Sequence, residues 1–473
     1  MATLPVSISA KVSENPVVET ELIQAIDTLA EEMGVKYTTP LERRPIVDDI
    51  YEYTVTLEVG DEEFDRICLH RVVKEESAYR PVLTKAGVMM LPGNHQNFRA
   101  TYLLSTQTDV PGIIINHSLA VYLAENDIDV WGIDLRRSSV PQCDCSNDNC
   151  SFMEDWGMET QINDVNKAME FAREMRLQTR QEFPPLILLG ASRGGRLAYA
   201  CANYEAGLRG VRRNIAGIIT VDIGYKFDPT TSVIYCTNYS DPGTCASMSA
   251  SEAASIRYGA LKSVYDSGKY YDDTATSMKT IAYLAENAPT GGSLIPGFAG
   301  YTNREMGEML LSATYLFQPY PPQITYFHYC TGTFDATHSP TGLVFTNHSY
   351  MIDLSYNLDP VQSIRYMMDE EAVMGGIDTS YDDNLRRIRV PVLYVGGETG
   401  YGSQGIYTTT LFKSKDVTTL IVPGYGHIDL LYGNGAETAV WTPICNWILD
   451  HGPQHPPQHR DPHHPHSPSV TDV

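Results

Sequence analysis

The sequence is short of positive charge. It sets 34 Lys plus Arg against 58 Asp plus Glu, for a formal net charge of −24 and a pI near 4.9. A surface of that sign repels a phosphate backbone and excludes nucleic acid as a partner, while self-repulsion favours a soluble chain. No apolar run reaches about 18 residues, so a transmembrane helix is not expected. The opening "MATLPVSISAKVSENP" lacks the basic start and apolar length of a secretory leader. No internal repeat is present, which excludes solenoid and propeller architectures.

Cysteine is sparse, yet its placement is informative. Cys143, Cys145 and Cys150 sit in "CDCSNDNC", and Cys236 and Cys245 in "CTNYSDPGTC", both polar and loop-like. Cys68, Cys201, Cys330 and Cys445 lie in apolar contexts and read as core residues. The polar clusters lack paired C-x-x-C units and neighbouring histidines, so disulfides are expected rather than a metal site. Cys236 with Cys245 is the most direct pairing, because Asp-Pro-Gly between them turns the chain back. The expected location is therefore secreted or periplasmic, with any leader outside this chain; the cytoplasm is the alternative. No cofactor or metal is expected.

What is present is an alternation of strands and helices. A helix is expected in "VVETELIQAIDTLAEEMG", then an antiparallel pair, "DIYEYTVTLEVG" and "EFDRICLHRVV". Short buried strands follow at Val88–Leu91, "DVWGIDL", Leu186–Leu189 and "IAGIITVDIG", with helical stretches between them. This order implies an α/β fold, a mostly parallel sheet covered by helices on both faces. The alternation stops near 225, gives way to Tyr- and Gly-rich helical pieces, and resumes with "RIRVPVLYVGGE" and "VTTLIVPGYGHIDLLYG". The expected organisation is an N-terminal extension (1–44), a first core part (45–224), an inserted cap (225–385), a second core part (386–452) and a disordered His/Pro-rich tail (453–473).

"GASRGG", residues 190–195, carries the chemistry. Its Gly-x-Ser-x-Gly spacing, between a buried strand and a helix, holds a hydroxyl out at the apex of a strained turn. Together with "LPGNHQNF" after an earlier strand and "VPGYGHIDLLYG" after the last, it resembles the α/β-hydrolase superfamily, esterase or lipase type. The closing His-Ile-Asp is similar to the acid-lipase-like branch. The resemblance covers about residues 45–452 outside the insertion. It implies a serine hydrolase in which Ser192 is the nucleophile and His427 the base that activates it. His70, His95, His117, His328, His338 and His348 all precede the final strand and are not placed for that role.

The resemblance also implies an oxyanion hole from the backbone N–H groups of Asn94 and Arg193, with His95 lining the site. For the triad acid the usual aspartate positions after "VPVLYVGG" hold Thr399 and Gly400. Glu398 is the expected acid, and Asp222, ending "IITVDIG", the alternative. Asp134 and Arg136 are expected as a structural ion pair. Arg193 and Arg196 are expected to pair with a local carboxylate, and the Asp369–Glu371 run to form a solvated helix face.

The reading that follows is hydrolysis of a small-molecule carboxylic ester through an acyl-enzyme, with an apolar or aromatic substrate under a lid. One alternative is an aminopeptidase or amidase of the same fold, its substrate ammonium held by Asp369, Glu370 and Glu371. Another is a non-catalytic hydrolase-fold binding protein.

Overall fold

The computed structural model describes residues 16–452 except 39–40, 105–117, 142–144, 146–149, 182–184, 210–212, 237–241, 296–297, 313–319, 321–322, 325–326 and 338. Cys143, the first 15 residues and the expected tail lie outside the described residues. A first helix, Pro16–Glu32, leads into β1 (Lys36–Tyr37), β2 (Glu42–Val47), β3 (Ile50–Glu58), β4 (Arg66–Ser77), β5 (Arg80–Pro81) and β6 (Ala86–Leu91). Then come β7 (Ile128–Asp134), β8 (Leu186–Ala191) and β9 (Ile215–Val221). The insertion carries β10 (Ser232–Cys236), β11 (Cys245–Ser249), β12 (Tyr271–Asp272), β13 (Gln323–Ile324), β14 (Gly332–Phe334), β15 (Pro340–Leu343) and β16 (Gln362–Ser363). The closing strands are β17 (Val392–Gly397) and β18 (Val417–Val422).

One sheet dominates, in the order β1-β3-β4-β7-β6-β8-β9-β17-β18, with β2 paired to β3 and β5 to β4. From β7 to β18 neighbours run parallel, whereas β3, β4 and β7 pair antiparallel. β6 and β8 are buried along their whole length, as continuous apolar runs must be when helices cover both faces. Alternate side chains divide between two cores. Val88, Met90, Ile187 and Leu189 face the helices Leu119–Glu125 and Thr442–His451; Met89, Leu91, Leu186 and Leu188 face Met158–Gln178, Arg193–Gly207 and the first helix. Each such buried aliphatic side chain stabilises by roughly 1.5–3 kcal/mol.

Between β9 and β17 no strand of the described residues joins the main sheet. That stretch forms small sheets and the helices Ala250–Asp266, Thr274–Asn287, Asn303–Ser312, His348–Tyr356 and Ile364–Gly375. The helix Ala250–Asp266 begins with a reciprocal cap between Ser249 and Glu252. At the other end of the chain, β1 and β2 take the sheet into residues expected as an extension. Cys236 and Cys245 face each other directly across β10 and β11 at disulfide distance, Cα to Cα 4.0 Å. Cys145 and Cys150 are likewise paired, Cα to Cα 4.8 Å.

Candidate active site

Ser192 follows β8 with φ 55° and ψ −129°, a conformation costly for a residue with a Cβ. The turn is fixed by close packing. A Cβ on Gly190 would sit 2.2 Å from the Gly194 carbonyl oxygen, and one on Gly194 would sit 2.1 Å from that of Leu91. Only glycine fits at either position. The Ser192 N–H donates to Val221 O at 2.9 Å, which sets the serine beside the end of β9. Arg193 opens the next helix, whose first N–H groups have no intrahelical acceptor.

The next residue past β9 is Asp222. It is fully buried, and its carboxylate accepts from His427 Nδ1 at 2.7 Å. The carboxylate's remaining partners are backbone N–H groups at the end of β17 and in the loop after it: Gly397 at 2.9 Å, Tyr401 at 3.0 Å and Gly402 at 3.1 Å. The expected contact between Glu398 and His427 does not occur. Glu398 is exposed and accepts from the Gly424 N–H at 2.7 Å. Register explains the substitution. β9 and β17 run side by side with Val221 opposite Val395, so the loop that lacks an aspartate wraps the aspartate that ends its neighbour. Gly400 packs on it so closely that a Cβ there would lie 2.1 Å from Asp222 Oδ2.

His427 lies in the loop after β18, and its N–H donates to His328 O at 2.9 Å. Asp429, the aspartate of His-Ile-Asp, braces that loop: it accepts from the N–H groups of Gly426 and Thr331, each at 2.8 Å, and from Thr346 Oγ1 at 2.5 Å. Burial pushes its carboxyl above the usual range, against the pull of these donors. Burial also lowers the pKa of His328, whose Nδ1–H donates to Ser312 O. Ser192, Asp222 and His427 thus stand past the carboxyl ends of β8, β9 and β18, in the strand run β8-β9-β17-β18.

The turn holding Asn94 and His95 abuts the serine; a Cβ on Gly93 would be 3.4 Å from Ser192 Cβ. His95 is buried with φ 52°, and its Nε2 lies 3.1 Å from Asp272 Oδ2. The His95 hydrogen bond, with others from Thr274, holds the Asp272 carboxyl below its usual range in spite of burial. Asn94, His95 and Arg193 line one side of a cavity of about 590 Å³. Phe327, Tyr329 and Tyr401 line it too, and their rings surround His427 at 5.0, 5.5 and 6.2 Å between centroids. Phe227, Tyr235, Leu261, Met278 and Met367 add apolar wall from the insertion. A larger groove of about 720 Å³, with Asp65, Arg136 and Trp156 among its walls, lies along the helix Met158–Gln178, and none of the residues just placed line it.

Three charge assignments differ from expectation or refine it. Asp134 does not pair with Arg136: Arg136 binds Asp164 and Asp65, and Asp134 takes the Phe98 N–H at 2.7 Å and faces His70 Nε2 at 3.0 Å. Arg193 and Arg196 do meet a carboxylate, both at Glu370. The Asp369–Glu371 run is buried rather than solvated, with Arg365 on Asp369 and Arg257 on Glu371. Tertiary packing of the helix Ile364–Gly375 against the core buries what its sequence marks as a polar face. Among the described residues one trio has ligand atoms close enough for a metal, Cys68, His70 and Asp134. There His70 lies between two carboxylates, with Glu52 Oε1 2.8 Å from its Nδ1 and Asp134 Oδ2 3.0 Å from its Nε2.

No protein-family profile and no curated protein sequence matches the chain. Solved structures do. A candidate lipase from Sulfolobus solfataricus is 18% identical, with TM-score 0.54, over 88% of this chain and 99% of its own. A monoglyceride lipase from Saccharomyces cerevisiae is 12% identical, with TM-score 0.40, over 96% and 100%. An esterase from Exiguobacterium antarcticum is 13% identical, with TM-score 0.39, over 81% and 95%. At these identities it is the first likeness that bears on the chain, and it bears on the fold alone.

Proposed function

We propose that this chain, which has the α/β-hydrolase fold, is a serine hydrolase that cleaves carboxylic esters through an acyl-enzyme. The observation that carries the reading is a strained serine turn after β8 whose N–H reaches the end of β9, where the next residue, Asp222, holds His427. Asp222 takes the place of Glu398 as the acid. Because Nδ1 of His427 is engaged with Asp222, Nε2 is the nitrogen that receives the Ser192 proton as Oγ attacks the ester carbonyl. Asp222 stabilises the imidazolium, and the Asn94 and Arg193 N–H groups hold the negative oxygen of the tetrahedral adduct. Collapse breaks the C–O bond, and His427 gives its proton to the departing alcohol. Water then attacks the acyl-serine, with His427 as base, and releases the acid.

The aromatic and Met-rich cavity supports an apolar or aromatic substrate, with the insertion as its roof. The paired cysteines support an oxidising compartment. Asp369, Glu370 and Glu371 each face a guanidinium, which weighs against an ammonium site on that run and so against the aminopeptidase alternative. A panel of p-nitrophenyl esters and aminoacyl p-nitroanilides tests the proposal. Turnover of esters, abolished in Ser192→Ala, is expected. Turnover of anilides in preference to esters contradicts it.

A further inference from the structure

The serine reading leaves one question of geometry: what aims the Asn94 N–H at the reaction centre. The peptide joining Gly93 to Asn94 is planar and trans, so its N–H points opposite to its carbonyl. That carbonyl is held. Arg137 Nη2 donates to Gly93 O at 3.0 Å and to Gln96 O at 2.6 Å, and its Nε lies 3.1 Å from Asp359 Oδ2. Both side chains of this ion pair are almost wholly buried, 4% and 3% exposed.

Asp359 belongs to the insertion, and it grips the same turn twice more. Its N–H donates to His95 O at 2.6 Å, and its carboxylate accepts from Asn97 Nδ2 at 3.3 Å and from Ser138 Oγ at 2.9 Å. Neighbouring insertion residues continue the grip. Gln362 donates to the Asn94 side chain at 3.1 Å, and Asp272, its partner across β12 and β16, meets His95. Fastened on both sides, the turn keeps His95 in its positive-φ conformation.

The geometry points to Arg137 and Asp359 as positioning residues for the oxyanion hole, with the insertion a fixed part of the catalytic apparatus rather than a lid that swings clear of it. Neither residue touches substrate in this account; both act through the direction of one peptide plane. The inference rests on the serine-hydrolase reading above.

The experiment uses the full chain, Arg137→Lys and Asp359→Asn, with active sites titrated by a fluorophosphonate so that kcat is expressed per competent Ser192. An aryl boronic acid, which forms a tetrahedral serine adduct, supplies a second readout. Loss of one oxyanion donor lowers kcat by roughly 10²–10³. Arg137→Lys is expected to approach that loss, and Asp359→Asn to lose about tenfold because its backbone contact survives. KM should stay within about threefold, and boronic-acid affinity should fall in step with kcat/KM. A merely structural role predicts fewer titratable sites with unchanged kcat per site, and that result overturns the inference, as does unaltered boronic-acid affinity. If Arg137→Lys fails to fold, Asp359→Asn decides by the same two readouts. Absence of Ser192 labelling in the wild type instead retires the hydrolase reading itself.

Discussion

Among single residues, two carboxylates differ sharply in their relation to His427. Asp222 is buried, contacts Nδ1 and has its other lone pairs filled by backbone donors; Glu398 points to solvent and caps Gly424. Asp222→Asn should therefore lower kcat by about 10⁴, the cost of losing the orienting acid, whereas Glu398→Gln should cost less than about tenfold. Steady-state ester kinetics on both variants checks the ranking, and the reverse order moves the acid. In the sequence Glu398 is the acid to expect, because it follows the strand that supplies this group in the resembling families. Two sequence features leave room for Asp222, the alternative: Thr399 and Gly400 hold the usual aspartate positions, and Asp222 ends a buried strand. What the sequence could not display was the lateral register of β9 and β17, which places residues 175 or more positions apart in one hydrogen-bonded loop.

Elements were easier to read than their contacts. Ser192 and its glycines were legible because the turn imposes steric demands on adjacent residues, and β6, β8 and β9 because strands buried on both faces are continuously apolar. The buried state of Asp369, Glu370 and Glu371 was not legible, since their partners Arg365, Arg193 and Arg257 lie mostly on other elements. The same is true of Arg137 and Asp359, joined only by the fold. The pairing of Cys236 with Cys245 was legible from the Asp-Pro-Gly turn between them, though the β10–β11 strands that set them directly opposite each other were not. Closing so short a loop contributes roughly 2–3 kcal/mol in the chain-entropy account. Replacing Cys236 and Cys245 together with Ser should lower the thermal midpoint of the oxidised protein. A midpoint unmoved by both substitution and reduction contradicts a structural bridge there.

For the whole molecule, the buried charges on β3, β4 and β7 tie stability to pH. Burial opposes charge on His70, yet Asp134 beside it keeps its pKa well above 6.5. Glu52 and Asp134 are held below 4.5 and 3.8 by His70 and Arg99, again against burial. The carboxylate contributions are present above those values and fade in acid, whereas the His70 contribution is complete below pH 6.5 and is lost as pH rises through its folded pKa. The stability gap between wild type and His70→Gln should thus be widest near pH 5.5 and narrow in alkali by up to about 1.4 kcal/mol per pH unit. Denaturant melts at pH 5.5 and 9 measure it, and a gap that widens with pH contradicts the assignment. The acidic molecule, with its net charge of −24, places Asn94, His95 and Arg193, neighbours of Ser192, on the wall of one aromatic cavity. The most direct test is mass spectrometry of the intact chain and its peptides after fluorophosphonate treatment. The account predicts one adduct, on Ser192, absent from Ser192→Ala and much slowed in Asp222→Asn; an unlabelled wild type, or equal labelling of Ser192→Ala, would contradict it.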